Sequence, residues 1–156
     1  MSSKISHNEQ RIKFHHCTQI QIRFNDIDIA GHVNNSIYFE YLNYSRMVYF
    51  KEVMGENIDW QKTGVVIVRM EIDYFEPIFI NDEIEVCAHI SKIGNKSIEM
   101  YQRIQKKDSE GNIKEIAFAK SILVVYDYVA QTSIPIPKKW KEILVNFEKN
   151  IVLKSN

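Results

Sequence analysis

The chain has 156 residues, of which 45% are hydrophobic and 12% aromatic, and its twenty basic residues balance twenty acidic ones. This length fits one domain with a real core, and the composition excludes disordered, collagen-like and coiled-coil chains. Zero net charge excludes a general polyanion binder such as a protein that wraps DNA, while leaving room for a local basic patch.

Residues 1–16 read as a polar, flexible extension of a single domain spanning 1–156. Gln19 to Phe24 alternates polar and apolar residues, the pattern of a strand with one buried face. The turn-forming run Asn25 to His32 follows. Asn34 and Asn35 offer helix caps, and a helical pattern runs from Ser36 to about Met54, with Gly55 as its stop. That helix is apolar nearly all round, so it reads as buried inside something broad. Four strands follow: Val65 to Phe75, Ile84 to Ile90, Ile98 to Ile104 and Ile113 to Tyr126. A hairpin turn occupies residues 107–112. After Pro135 and Pro137, the spacing of Trp140, Leu144 and Phe147 predicts a short C-terminal helix. The order predicts an α+β domain, an antiparallel sheet folded around one long helix.

Only five glycines are present, at 31, 55, 64, 94 and 111. No G-x-G-x-x-G, G-K-[ST] or G-x-S-x-G motif occurs, which removes dinucleotide loops, P-loops and the usual serine elbow. No H-E-x-x-H or C-x-x-C occurs either. Cys17 and Cys87 point to a reducing, cytoplasmic compartment rather than a disulfide framework, although sequence alone leaves a bridge between them open. Cys87 reads as packing and His89 as a sheet-surface residue. His15-His16-Cys17 resembles a metal cluster, but neighbours on a strand point to opposite faces. No stretch has the ~20 apolar residues of a membrane span. Residues 71–85 are acidic and residues 92–107 basic; these read as solvated strand faces, or the second as a patch for a phosphorylated ligand.

The segment Arg23 to Tyr38 is dense in chemistry. Two carboxylates, Asp26 and Asp28, and His32 precede the start of a buried helix, whose free N–H groups favour an oxyanion. A carboxylate there suits attack on, or hydration of, an activated ester. Asp and Asn before a helix are also ordinary caps and Asx-turns, a role that fits Asp26 well.

The pattern R-F-x-D-x-D-x-x-G-H-V-N-N-x-x-Y-x-x-Y-x-x-x-x-R runs from Arg23 to Arg46. With Val66-Ile67-Val68 and Tyr74-Phe75-Glu76-Pro77, it resembles the signature of hotdog-fold thioesterases of the 4-hydroxybenzoyl-CoA thioesterase-like group, and is similar to that of acyl-ACP thioesterases. The resemblance covers about residues 18–148. It implies a hotdog fold, with a five-stranded antiparallel sheet wrapped around the central helix. It implies hydrolysis of an acyl-CoA, or of an acyl-ACP, in a homodimer or homotetramer, with no metal or redox cofactor and no nucleic-acid partner. By position, Asp28 matches the catalytic carboxylate, as nucleophile or general base. His32 would assist, and the helix start at Asn35 and Ser36 would supply the N–H that polarises the carbonyl. Gly31 would let the loop approach substrate, Tyr38 would line the acyl pocket, and Lys92 and Lys96 would meet the nucleotide phosphates.

The chain departs from the pattern in places. Asn35 stands where some members carry histidine, Ala30 where acyl-ACP enzymes carry asparagine, and Asn43 where many carry glutamate. A hotdog hydratase or dehydratase fits His32-Val33-Asn34 poorly. A non-catalytic acyl-thioester-binding protein would follow if Asp28 pointed away from the pocket.

Overall fold

The computed structural model describes residues 12–153; residues 1–11 of the expected N-terminal extension lie outside them. In chain order the elements are β1 (His16–Ile20), α1 (Asn35–Met54), β2 (Thr63–Tyr74), β3 (Ile84–Ile93), β4 (Ser97–Lys107), β5 (Ile113–Asp127), β6 (Thr132–Ser133), α2 (Lys138–Glu148) and β7 (Val152–Leu153). The long strands pair antiparallel in the order β1-β3-β4-β5-β2; β6 adds to β5, and β7 adds parallel to β3. This is the hotdog arrangement, with α1 lying along the sheet.

Local chemistry explains the boundaries. The Asn34 side chain accepts the Ser36 N–H at 2.9 Å and caps α1. Gly55, at φ +54°, ends it by turning the chain left-handed while its N–H reaches the Lys51 carbonyl. The β4–β5 turn closes on Asp108, whose carboxylate accepts the Glu110 and Asn112 N–H groups.

The core has two lobes along α1. Tyr38, Tyr41 and Leu42 pack with Val33, Ile78, Ile84 and Ile104 near the start of the helix. Tyr49, Phe50 and Met54 pack with Ile93, Ile98, Trp140 and Leu144 near its end. Each buried side chain of this size contributes roughly 1.5–3 kcal/mol of transfer free energy.

Four expectations need correction. The first strand runs from His16 to Ile20, not from Gln19 to Phe24, because Phe24–Asp26 is drawn into a 3-10 turn that turns the chain toward α1. The helix is not enclosed all round: Phe39, Tyr44 and Met47 are about half exposed, because one sheet covers only one face. His89 is buried, because β1 ends its pairing at His16–Ala88 and the Glu148 carboxylate covers the bare edge of β3 beyond it. Cys17 faces Cys87 across the β1–β3 ladder, and the two form a disulfide. Among the described residues no helix is long and apolar enough to cross a membrane.

Candidate functional site

The loop between β1 and α1 is built on Asp26. Its side chain is 1% exposed and accepts the Arg23 N–H at 2.9 Å, the Arg23 Nε–H at 3.0 Å and the Tyr41 hydroxyl at 2.6 Å. Burial pushes this carboxyl upward, but the Tyr41 and Arg23 hydrogen bonds outweigh it and hold the group below its usual range. Burial, and then the bond to the Asp26 carboxylate, raises the Tyr41 hydroxyl. Arg23 continues outward to Glu40 at 2.7 Å. Asp26 is therefore a structural anchor, as the capping alternative expects.

Asp28 lies two residues on, in a loop clamped at both ends. Its own N–H donates to the His32 carbonyl at 3.0 Å, and the Gly31 N–H donates back to the Asp28 carbonyl at 3.0 Å. Ile27 bridges to Val33, the Val33 N–H donates to Ile78, and the Asn34 N–H donates to Asp26. Gly31 permits this tight loop at φ +83°, with open space around it. One Asp28 oxygen accepts the Ala30 N–H at 2.8 Å as an Asx-turn. Among the described residues the other accepts no hydrogen bond, and it faces His32 Nδ1 at 3.9 Å; the Asp28 side chain is 26% exposed. The loop thus holds one carboxylate oxygen rigidly and leaves one available.

At the start of α1, the Ser36 N–H is taken by the Asn34 cap, and the Ile37 N–H by the Asn34 carbonyl. The Asn35 N–H has no acceptor among the described residues. Asn35 and His32 face a cleft of about 190 Å³ shared with Tyr38, Tyr74, Glu76 and Pro77. Tyr38 is buried there, its ring edge-on to Tyr74 at 5.0 Å and its hydroxyl donating to the Glu76 carbonyl at 3.4 Å. Burial pushes that hydroxyl up to about 12, so it stays a neutral donor. Of the expected site residues, His32, Asn35 and Tyr38 line this cleft; Asp28, Gly31 and Ser36 do not, and Asp28 approaches it through His32 at 3.9 Å. Tyr74 and Glu76, from the end of β2, complete the cleft. Their run Tyr-Phe-Glu-Pro was the available signal for them, since the proline fixes the turn beside the helix start.

Lys92 and Lys96 lie elsewhere. β3 runs from Ile84, beside the α1 start, to Ile93 at the other lobe, so Lys92 is roughly 27 Å of strand away. The Lys96 ammonium donates to the Ser133 carbonyl at 2.7 Å. Part of the basic run meets acidic neighbours, as in Lys106–Asp82 at 2.9 Å and Arg103–Glu115 at 3.9 Å. His15, His16 and Cys17 diverge to Glu148, Glu52 and Cys87. Cys17, Glu85 and Cys87 bring ligand atoms within 4.8 Å of one another, but both sulfurs belong to the disulfide.

Residues 22–144 match the family described as the thioesterase-like superfamily. The long-chain acyl-CoA thioesterase FadM of Escherichia coli (strain K12) is 25% identical over 135 residues, which are 85% of this chain and 98% of that one. The uncharacterized protein YsmA of Bacillus subtilis (strain 168) is 27% identical over 95 residues, 60% of this chain; the match spans only 63% of YsmA. A thioesterase of Thermus thermophilus, solved with coenzyme A and Zn, superposes with a TM-score of 0.76 at 26% identity, covering 89% of this chain and 98% of that one.

Proposed function

The chain belongs to the thioesterase-like superfamily and is a thioester hydrolase, and from that premise we propose that it cleaves acyl-CoA to a carboxylic acid and free CoA, with Asp28 as the reacting carboxylate. The observation that carries this reading is an Asp28 oxygen with no hydrogen bond among the described residues, held in the loop that leads to a helix start whose Asn35 N–H likewise has no acceptor among them. The names of FadM and of the Thermus complex support CoA over a protein carrier.

In the general-base route, Asp28 takes a proton from water as the water oxygen bonds to the thioester carbonyl carbon. The Asn35 N–H and the dipole of α1 stabilise the resulting oxyanion. Collapse breaks the C–S bond, and the departing thiolate receives the proton. In the nucleophilic route, Asp28 itself bonds to the carbonyl carbon, the thiolate leaves, and water then cleaves the acyl-aspartyl anhydride. His32 would hold the carboxylate in place; Ser36 and Gly31 would shape the backbone against the substrate.

A thiol-release assay over a panel of acyl-CoA chain lengths tests the proposal. Asp28→Asn is expected to lower kcat by about 100-fold or more with the fold intact. Activity unchanged in that variant overturns the assignment. A single turnover in ¹⁸O-water tests the nucleophilic route: label in the Asp28 carboxylate requires an acyl-aspartyl anhydride opened by water at its aspartyl carbonyl, whereas the general-base route leaves Asp28 unlabelled.

Between the homodimer and the homotetramer that the resemblance implies, we propose a homodimer as the minimal active form. β2 is an edge strand with Ile67 and Val68 exposed, beside the uncovered Phe39, Tyr44 and Met47 of α1. Lys92 and Lys96, at the far end of the sheet from Asp28, would reach CoA phosphates there only from a second copy running the opposite way.

A further inference from the structure

The Cys17–Cys87 bridge takes no part in the chemistry at Asp28, yet it stands where the Asp28 loop is hung on the sheet. β1 is an edge strand of five residues, and among the described residues it pairs with β3 alone. The bridge ties Cys17 to its partner in that ladder. The rest of β1 is incompletely satisfied. His16 Nε2 reaches Glu52 at 2.8 Å, but His16 Nδ1 and Thr18 Oγ1 are buried with no hydrogen-bond partner among the described residues. From Ile20 the chain passes through Arg23, which holds Asp26, and reaches Asp28 eight residues on. Cys17 and Cys87 are 70 residues apart, and the span they close contains the Asp28 loop, α1 and β2. A covalent tie over so long a span restricts the open chain far more than a local contact does.

The two sulfurs differ in access. Cys17 is exposed and Cys87 is fully enclosed. A thiolate from solvent therefore meets Cys17, and Cys87 is the sulfur that leaves. Two unbonded sulfurs need more room than a bonded pair. β3 is paired with β4 on its other side, so β1 is the strand that gives way. Glu85 brings its carboxylate within 4.8 Å of both sulfurs, where it accepts the Gln105 amide at 2.7 Å and the Gln19 amide at 3.2 Å. Its charge disfavours thiolates, so the freed sulfurs take up protons and form no ionic tie between the strands. We propose that the Cys17–Cys87 bridge is a redox switch on thioester hydrolysis: a small dithiol opens it, β1 loosens from β3, and the Asp28 loop loses its fixed position. In the opening step one thiolate of the dithiol bonds to Cys17 Sγ, and the bond to Cys87 breaks with its electron pair leaving on Cys87 Sγ, which is protonated. The second thiolate then bonds to the first reductant sulfur and releases Cys17 Sγ, which is protonated in turn. Two electrons pass to the protein, and the reductant departs as its disulfide. The coupling to turnover rests on the Asp28 reading; the exchange at Cys17 and the loosening of β1 do not.

The test compares the full chain in three states: bridged, reduced with dithiothreitol, and re-oxidised with diamide. Sulfurs open to alkylation are counted by mass, β1 is followed by amide exchange, and turnover by the loss of thioester absorbance, which needs no thiol reagent. Reduction is expected to open two sulfurs, to speed amide exchange in β1 by about tenfold or more, and to lower kcat by about tenfold. Diamide is expected to restore both. Cys17→Ala removes an exposed side chain and is expected to reproduce the reduced state, with no further response to dithiothreitol. Chemical reduction of the wild type keeps the test valid if that variant fails to fold. A bridge that resists dithiothreitol in the folded chain overturns the proposal. So does an open bridge with unchanged kcat, whatever the exchange in β1, because the bridge is then only structural. Exchange that quickens equally in β4 and β5 marks global unfolding and overturns it as well. Asp28→Asn is expected to show the same gain in β1 exchange on reduction. If that variant keeps full activity while reduction still lowers kcat, the catalytic reading fails and the switch stands.

Discussion

Asp26 and Asp28 share a sequence environment but not a physical one. Asp26 is enclosed and accepts three hydrogen bonds; Asp28 spends one oxygen on an Asx-turn and keeps the other. Asp26→Ala would leave the Tyr41 hydroxyl and the Arg23 N–H without their acceptor, an expected loss of about 3 kcal/mol at pH 7 by denaturant titration. The pH dependence follows from the sign. The folded carboxyl lies below its usual value, so its contribution is present above the unfolded value of about 3.9 and is lost as pH falls through the folded one. Asp26→Asn should therefore flatten the acid limb of the stability curve. An acid limb unchanged by that substitution would exclude Asp26 as its source. The D-x-D spacing made both acids candidates in the sequence. Which one is anchored depends on Tyr41, fifteen residues away, which folds back onto it.

The two helices differ in how legible they are. The span of α1 follows from its caps and its apolar run, but its burial does not, because an all-round apolar helix is the same string whether a sheet or a second surface covers the other face. The amphipathic stripe of α2 was legible from Trp140, Leu144 and Phe147. Its last residue, Glu148, was not. That carboxylate is fully buried and accepts the Tyr49 hydroxyl, the His89 Nδ1–H at 2.7 Å and the Ile90 N–H at 2.8 Å, replacing the strand that β1 no longer provides. Burial and the adjacent carboxylate raise the Tyr49 hydroxyl strongly, so it remains a donor. Glu148→Leu would strand three polar groups, and the expected cost is about 3–5 kcal/mol, with faster amide exchange at Ile90. Wild-type melting and exchange in this variant would remove the anchoring role.

At the scale of the whole molecule the proposal is a homodimer. The twelve-residue edge strand β2 exposes Ile67 and Val68, and α1 exposes Phe39, Tyr44 and Met47, apolar groups that a second copy would cover. Light scattering is expected to give the mass of a dimer. Val68→Lys is expected to shift it toward monomer and to lower thioester hydrolysis with it; a monomeric wild type that is fully active would refute the proposal. The cysteine pair poses a second question at this level. Thiol-trapping in the host cell reads the compartment directly: two alkylated sulfurs mark the cytoplasmic location, and none marks an oxidising one in which the Cys17–Cys87 bridge persists.

The linear pattern was sufficient for the element order, the caps of α1, the turn at Asp108 and the position of the Asp28 loop. These depend on neighbours a few residues apart, and alternation, capping and turn chemistry are written locally. Only the tertiary structure decided that Asp26 is an anchor, that Cys17 meets Cys87, that Glu148 seals β3 and that Arg46 is buried with no counter-ion among the described residues. Those outcomes depend on strand register and on which side chains share one enclosed volume, and contacts between residues tens of positions apart leave no periodic trace in the chain.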